Sequence, residues 1–466
     1  MTILSIIGWT IVIAIFVAIV TGLVHLFMKD RTPRWQRPAL RGQYEQDAAM
    51  LPTYFQKGAM AFFLLALILA TLGWGPLEAV PRFFLGNTWI NPMSNMMPLG
   101  IAALGYTILV GITGQVSIGH AFFIGTGAYT AVALGGNGDG LRACVPFHEN
   151  LGILEEQGQC GLGLPIWIWL PAAAIVAALI GIAVSPAAVK VRGLYLALAT
   201  LGLVFVGLHL GRTFPEFAGD FESGRTWPEL QFRFWKEENA LIDLHSDGQW
   251  FGLIHLSEEQ KQLFFLMAAL LVAGVLAKNI IRSRTGRALQ AIRDRDIAAE
   301  VMGVPEFKYK RMGFAISSAY AGLAGAIFAS YNGRVSPVQF GLLLSVDFIA
   351  ILLIGGAGTI LGTALGTVFV ELLPEVVKKF TEWLAEQVDA DGPASWVANF
   401  LLTEGTDDFG PISIVNASPG WPLPVSLWNL VIFGALIVLF MLFEPLGLYG
   451  IWLRIRNYWK GWPFSY

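Results

Sequence analysis

The stretch ILVGITGQVSIGHAFFIGTGAYTAV, residues 108–132, decides the fold of this chain, because it places five glycines inside a strongly apolar segment. Gln115, Ser117 and His120 interrupt a run that is otherwise typical of a helix crossing a lipid bilayer. Lipid offers no hydrogen-bond partner to irregular backbone, so such a segment must be buried in protein or line a wet cavity. The stretch therefore predicts a membrane helix that is broken beside a buried or water-filled space.

The composition extends this conclusion to the whole chain. Of 466 residues, 55% are hydrophobic and 14% are charged, and the mean hydropathy is +0.61, which soluble domains of this size do not approach. Apolar runs recur from one end to the other. We therefore predict an all-α integral membrane protein in a lipid bilayer, with about eleven transmembrane or re-entrant helices. No basic run interleaved with exposed aromatic residues occurs, which excludes nucleic acid as a partner.

The apolar runs predict where these helices lie. The predicted spans cover residues 3–27, 58–74, 89–111, 115–136, 164–185, 194–211, 262–279, 312–332, 343–356, 358–373 and 426–446. Spans 9 and 10 are shorter than the roughly twenty residues that a crossing needs. One or both are therefore predicted to be re-entrant or broken.

Charge in the loops predicts the orientation. Residues 29–57 hold six basic and three acidic residues, and the loop 282–311 is also strongly basic. Short basic loops stay in the cytoplasm. The large loops 137–163, 212–261 and 374–425 carry more acidic than basic residues and are predicted to face outward. The N-terminus is thus expected outside and the C-terminus in the cytoplasm.

Both cysteines of the chain, Cys144 and Cys160, fall in the first of these outward loops. An oxidising side permits a disulfide between them, which would pin the loop. The alternative is two unpaired thiols. Neither alternative predicts a catalytic role for these cysteines.

A repeat inside the chain gives the opening stretch a counterpart. ILVGITGQVSIGHA, from residue 108, aligns with LLIGGAGTILGTA, from residue 352, with a one-residue gap. The glycines that match are Gly111 with Gly355, Gly114 with Gly358, and Gly119 with Gly362. Paired glycine-interrupted segments in two halves of a membrane protein indicate a solute pathway at the repeat interface. The predicted pathway residues are Gly114, Gln115, Ser117, Gly119, His120, Gly355, Gly356 and Gly358.

Small and polar residues of the membrane helices also suit purely structural roles. Glycines in membrane helices often form packing surfaces, and Ser318, Gly322 and Ala326 have the small-xxx-small spacing of such a contact. His120 is either a titrating pathway group or a buried neutral histidine with one hydrogen bond. Asp347 is either an intramembrane ionisable group or a residue that snorkels or caps its helix.

The longest cytoplasmic segment with helical character is RSRTGRALQAIRDRDIAAEVMGVPEFKYKRMG, residues 282–313. Thr285 is a predicted N-cap, and Gly303 followed by Pro305 is a strong signal for the end of a helix. One amphipathic helix parallel to the membrane is predicted between them. The residues expected on neighbouring apolar faces are Leu289, Ile292, Ala299 and Met302, and those expected in water are Arg293, Asp294, Asp296 and Glu300. Amphipathicity alone would also suit a helix resting on anionic headgroups.

Several motifs of the chain resemble a known family. IAAEVMG resembles the loop by which permeases of ABC importers dock onto their ATPase subunits. SIGHAFFIGTGAYTA, RGLYLALATL, GRALQAIRDRDIAAEVMGV and LLIGGAGTILGTALG are similar to the LivM-type permeases of branched-chain amino acid ABC importers. The resemblance covers about residues 95–375 in the same order. Residues 1–85, an extra pair of predicted transmembrane helices, lie outside it, and residues 86–466 form the predicted permease core.

The resemblance implies a set of partners and a docking site. The expected partners are a LivH-type permease, two cytoplasmic ATPases and a periplasmic substrate-binding protein, assembled in the bacterial inner membrane. No cofactor is expected on this chain, because ATP and Mg would be used by the ATPases. The residues matching the ATPase-coupling pattern are Arg287, Asp294, Ala298, Ala299 and Gly303. Ile297 departs from the pattern, since many importers carry Glu at this position.

Function classes other than transport find little support. The chain has no phosphate-binding loop and no Gly-Lys dipeptide, and its histidines lack metal-ligand spacing, so neither catalytic nor metal-binding residues are predicted. The leading hypothesis is a permease for hydrophobic amino acids, and the main rival is a permease for urea or short amides. An ion-coupled secondary transporter would need paired intramembrane acids, for which only Asp347 and Glu371 qualify. A membrane anchor without transport would leave the paired breaks without a role.

Overall fold

The computed structural model describes residues 89–136, 162–190, 193–214, 254–389, 423–444 and 446–461, with short pieces between 218 and 250 and at 402–403 and 412–413. The predicted spans before residue 86, and Cys144 and Cys160, lie outside these residues. The disulfide therefore stays a prediction.

The described chain is mainly helical. Its helices are α1 Ile90–Tyr106, extended by a π-helical turn Thr107–Ile112, α2 His120–Gly135, α3 Ile166–Lys190, α4 Leu194–Thr213, α5 Glu258–Arg282, α6 Arg284–Asp294, α7 Asp296–Val301, α8 Glu306–Asn332, α9 Leu342–Gly355, α10 Ile360–Asp389, α11 Val425–Phe443 and α12 Gly447–Gly461. A 3-10 turn, Pro337–Phe340, precedes α9.

Six of the described helices are long and apolar enough to cross a membrane. They are Ile90–Ile112, Ile166–Pro186, Tyr195–Thr213, Glu258–Arg282, Glu306–Asn332 and Ile360–Lys379. They coincide with predicted spans and confirm an all-α membrane protein. The shorter α9 has 14 residues. The prediction that span 10 is short was wrong: α10 has 30 residues, because helical backbone continues past the point where apolar residues give way to charged ones.

The strands are short connections at the edges of the helical bundle. They are β1 Arg225–Thr226, β2 Gln231–Phe232, β3 Ile242–Asp243, β4 Gly248–Trp250, β5 Ile254–Leu256, β6 Arg334–Val335, β7 Leu402–Thr403, β8 Ile412–Ser413 and β9 Leu423–Pro424. β1 pairs antiparallel with β6, which ties the segment after α4 to the end of α8. β2 pairs with β3 and β4 with β5, both antiparallel, whereas β7, β8 and β9 form a parallel ladder.

Helix α8 lies at the centre of the bundle and packs against α1, α2 and α3. Small residues allow this close approach, as the Ser318, Gly322 and Ala326 spacing predicted. A Cβ on Gly322 would lie 2.5 Å from the Cβ of Ala177, and one on Gly127 would lie 2.1 Å from the carbonyl oxygen of Gly322. Without side chains at these glycines, backbones meet directly and gain dispersion contact.

We expect Gly325→Val to prevent correct assembly of the bundle. A Cβ on Gly325 would lie 1.9 Å from the carbonyl oxygen of Ile124, and overpacking of this kind costs about 3 kcal/mol or more. The measurement is the amount and melting temperature of the detergent-solubilised protein. Gly434→Val is the matched control, since no atom of the described residues lies within 4 Å of a Cβ there. Equal melting temperatures for the two variants would contradict the central position of α8.

Residues 282–311, which we call the coupling loop after the role predicted for them, differ from the single helix that was predicted. Ser283, not Thr285, is the N-cap, and its hydroxyl oxygen accepts a hydrogen bond from the backbone N–H of Gly286 at 3.3 Å. The backbone of Arg295 is extended, with φ −155° and ψ 99°. The loop therefore forms two short helices, α6 and α7, joined at Arg295.

Candidate functional site

The two glycine breaks of the repeat meet inside the molecule. The first break comprises residues 113–119, between the π-helical turn and α2, and the second comprises residues 356–359, between α9 and α10. A Cβ on Gly111, just before the first break, would lie 2.5 Å from the backbone nitrogen of Gly358. Gly114 and Gly358, which the repeat aligns, both have positive φ, +73° and +84°. The aligned segments thus share an unusual backbone conformation and also touch.

Many backbone groups of the first break form hydrogen bonds within the protein. The N–H of Gln115 donates to the carbonyl oxygen of Leu109 at 3.1 Å, and that of Thr113 donates to Ile108 at 3.1 Å. The hydroxyl of Tyr106 donates to the carbonyl oxygen of Ser117 at 2.8 Å. These bonds explain how irregular backbone persists within an apolar bundle, where each unpaired group would be costly.

A side chain from the coupling loop reaches the junction of the two breaks. Nη1 of Arg293 donates to the carbonyl oxygen of Gly111 at 2.6 Å, and Nη2 donates to Oδ1 of Asp294 at 3.1 Å. Cγ of Arg293 lies 2.7 Å from where a Cβ on Gly114 would be. Arg293 is partly exposed, as the amphipathic pattern predicted. It also links α6 to the π-helical turn just before the first break through a charge-assisted hydrogen bond.

A polar cavity of about 230 Å³ lies beside this link. Its lining residues come from the first break, the start of α4, the joint between α6 and α7, and α8: Thr113, Gly114, Gln115, Val116, Gly193, Leu196, Ile292, Arg293, Asp294, Arg295, Asp296 and Lys310. Gln115 is buried, and neither atom of its side-chain amide has a hydrogen-bond partner among the residues that the structure describes. Two predicted pathway residues, Gly114 and Gln115, line this cavity.

The remaining predicted pathway residues lie in tight helix contacts. His120 is buried, its Nε2–H donates to the carbonyl oxygen of Ala102 at 2.9 Å, and its ring lies 5.0 Å from that of Phe348. This geometry fits the neutral, singly hydrogen-bonded histidine. The side chain of Ser117 accepts from the N–H of Gly119 at 3.3 Å, and a Cβ on Gly119 would lie 2.4 Å from a backbone oxygen.

The glycines of the second break pack equally closely. A Cβ on Gly355 would lie 2.2 Å from the carbonyl oxygen of Gly362, and one on Gly356, whose φ is +108°, would lie 2.5 Å from that of Leu446. The two halves of the chain that carry the repeat also touch through hydroxyl groups, because Oγ1 of Thr107 and Oγ1 of Thr363 are 2.5 Å apart. The second break is therefore a close-packed turn that supports the first.

A larger cavity of about 550 Å³ lies between α2, α4 and the Pro337–Phe340 turn. Its lining is mainly apolar and includes Phe122, Tyr129, Phe214 and Phe340. No predicted pathway residue lines this cavity.

The predicted coupling residues are mostly at the surface. Arg287, Asp294 and Ala298 are exposed. Gly303 has φ +84°, and no atom in the described part of the chain lies within 4 Å of where its Cβ would be. Ala299 is buried, as the amphipathic pattern predicted.

Helix α7 and its C-cap residue also carry an apolar surface that the sequence did not predict. Ile297, Val301 and Met302 are 73%, 82% and 83% exposed. The prediction that Met302 joins the buried face was wrong, because α7 ends at Val301 and the chain turns at Gly303. We call these three residues the apolar patch.

The acids that an ion-coupled mechanism would need are only half-buried. Asp347 lies on α9 and Glu371 on α10. Within the described ranges, no group of three His, Cys, Asp or Glu side chains is placed to hold a metal ion.

Comparisons with known proteins agree with these features. Residues 89–441 match the family described as branched-chain amino acid transport system / permease component. The high-affinity branched-chain amino acid transport system permease protein LivM of Escherichia coli is 28% identical over 69% of this chain and 69% of its own length, and that of Salmonella typhimurium is equally similar. The autoinducer 2 import system permease protein LsrC of Salmonella typhi is 36% identical over 24% of this chain and 33% of its own length. No solved structure matches.

Proposed function

The chain belongs to the family of permease components of branched-chain amino acid transport systems, and from this premise we propose that it forms one membrane subunit of an ATP-driven importer. The proposed solutes are branched-chain amino acids. The LivM relatives are named for such solutes, and neither they nor the LsrC relative are named for urea or amides. The sparse charge inside the described membrane helices suits a net-neutral solute.

The observation that carries the ATPase proposal is the apolar patch on α7. Large apolar side chains exposed together indicate a docking surface. The alternative, a helix resting on lipid headgroups, would need the apolar face of α6 to be available. Leu289 and Ile292 of that face are instead buried in the protein.

The geometry supports a route for force from the ATPase to the solute pathway. Movement of α6 would pull on Arg293, which holds the carbonyl oxygen of Gly111. Gly111 contacts Gly358 of the second break. A shift of the coupling loop would thus act on both breaks together, and packed interfaces of this kind switch between discrete arrangements rather than deform continuously.

The proposed assembly follows from this route. Two cytoplasmic ATPases would dock on this chain and on a LivH-type permease, and a periplasmic binding protein would deliver the solute on the opposite face. The coupling loop would then be cytoplasmic, the N-terminus periplasmic and the C-terminus cytoplasmic, in the inner membrane. This chain would bind no cofactor, since Mg and ATP would be held by the ATPases.

We expect the double variant Val301→Glu with Met302→Glu to lose ATPase subunits when the tagged chain is purified in mild detergent. Two added carboxylates would have to be buried unpaired at the interface, which costs several kcal/mol. The measurements are the co-purifying proteins and the ATPase activity of the complex. Arg284→Glu, an exposed residue at the start of α6, changes the charge by the same amount and should retain the ATPases. A wild-type chain that purifies without any ATPase or second permease would refute the proposal.

A further inference from the structure

The polar cavity beside Arg293 has the size of a binding site for a small solute. It opens between the first break and the joint of α6 and α7, and its volume is about 230 Å³. Pockets for drug-sized ligands measure about 300–1,000 Å³. The cavity therefore suits one molecule of the size of an amino acid.

The side chain of Gln115 indicates that the cavity binds a ligand. It is 3% exposed, lines the cavity, and both its amide oxygen and its amide nitrogen lack a hydrogen-bond partner among the described residues. Nearly all buried polar groups in proteins are hydrogen-bonded, because an unpaired one costs about 1–3 kcal/mol. Both amide atoms are buried in this conformation, and an amide that turns toward the cavity can donate to a carboxylate and also accept from an ammonium group.

The charges around the cavity have both signs. Arg293, Arg295 and Lys310 supply positive charge, and Asp294 and Asp296 supply negative charge. Two of these groups already have ion-pair partners, since Arg293 pairs with Asp294 and Lys310 pairs with Glu306. A multivalent anion would be repelled by the aspartates, and a cation by the basic residues. A zwitterion meets favourable groups at both of its ends.

The same cavity has an apolar wall. Leu196 and Ile292 are buried and line the cavity, and Val116 lines it while 42% exposed. These side chains would contact an aliphatic group of the ligand and contribute a hydrophobic gain on burial. Glycine-like solutes and polar amides such as urea would gain no such contact.

We infer that this cavity is an exit site for a zwitterionic aliphatic amino acid, held on the cytoplasmic side before release. The inference rests on the proposed function for the identity of the solute and for the side of the membrane. It has a regulatory consequence: solute accumulated in the cytoplasm refills the site and slows further import.

The test uses the complete transporter in proteoliposomes with its ATPases facing the lumen. Uptake of labelled leucine is measured with ATP and increasing unlabelled leucine in the lumen, and is normalised for each variant to uptake without luminal leucine. Wild-type transporter should slow down. Gln115→Leu should need about tenfold more luminal leucine for the same slowing, since a hydrogen bond to a charged group is lost. Gln290→Leu, on α6 but outside the cavity lining, should keep the wild-type response.

Solute analogues test the zwitterion requirement. Luminal 3-methylbutylamine lacks the carboxylate, 4-methylpentanoate lacks the ammonium group, and urea lacks both charges and the aliphatic chain. None of them should slow uptake at the luminal concentrations at which leucine does. Inhibition by either singly charged analogue as strong as that by leucine would overturn the inference, as would an equal response of Gln115→Leu and wild type or the absence of any slowing.

A second readout does not depend on transport. Val116→Cys in the purified complex should react with a small charged thiol reagent, and leucine should protect it, whereas Val338→Cys, on the Pro337–Phe340 turn, should react regardless of leucine. The native cysteines are accounted for by labelling the parent protein. Absence of uptake in every preparation would refute the proposed function, whereas absence of leucine protection at position 116 would refute the exit site itself.

Discussion

Gly303→Pro is expected to abolish ATP-driven uptake while leaving the chain in the membrane. Gly303 has φ +84°, a value that proline cannot adopt because its ring fixes φ near −65°. Proline also removes the N–H that donates to the carbonyl oxygen of Glu300 at 2.9 Å. Both changes alter the turn that ends α7 and positions the apolar patch. The measurements are leucine uptake by vesicles, the amount of the chain in the membrane, and co-purification of ATPases.

Gly333→Pro is the matched control. Gly333 also ends a helix, has φ +64°, and its N–H donates to Ala329 at 3.1 Å, but it lies at the opposite end of α8 from the coupling loop. We expect this variant to keep its ATPases.

Ala299→Arg provides a second test, since it places a charged side chain on the buried face of α7, where Ala299 is 6% exposed. Normal uptake by either coupling-loop variant in an assembled complex would contradict the coupling role.

Gly111→Ala is expected to reduce uptake about tenfold or more, with ATPase subunits still bound. The added Cβ would lie 2.5 Å from the backbone nitrogen of Gly358 and 2.7 Å from its Cα. Carbon atoms pack at about 3.5–4.0 Å, so the two breaks would be pushed roughly 1 Å apart. Overpacking of this size costs about 1–3 kcal/mol, and it would fall on the contact proposed to transmit force.

Gly274→Ala is the control for this variant. Gly274 is also inside a membrane helix, but the nearest atom among the described residues would lie 4.0 Å from an added Cβ. ATP hydrolysis and uptake are measured together, because the proposed route predicts hydrolysis without transport in Gly111→Ala. Uptake equal to that of Gly274→Ala would contradict the proposed route of force through the junction of the breaks.

Much of the fold could be predicted from the sequence because membrane helices are read from apolar length. The spans 89–111, 194–211 and 312–332 coincide with described helices. The repeat was equally informative, since the alignment of Gly114 with Gly358 identified two positive-φ positions. The full length of α10 could not be predicted, because hydropathy records where apolar residues end and not where helical hydrogen bonding ends.

The site was harder to predict than the fold. Periodicity placed Ala299 correctly in the buried face, but it assumed a helix that continues to Gly303. It therefore misplaced Met302, which follows the end of α7. Helical periodicity also cannot distinguish a side chain in water from one that reaches a distant backbone group. Gln115 was found because a polar residue in an apolar run is conspicuous, whereas Lys310, which pairs with Glu306 next to the same cavity, gave no such signal.

The bond from Arg293 to Gly111 has a consequence for how such links are detected. Its acceptor is a main-chain oxygen, which every amino acid possesses, so no exchange of side chain at position 111 can compensate for a change at position 293. Statistical covariation between columns of homologous sequences depends on such compensation. A hydrogen bond that joins the coupling loop to the first membrane helix would therefore give no covariation signal between positions 293 and 111. Chimeric permeases joined at the coupling loop could lose this bond, and covariation would not reveal the loss.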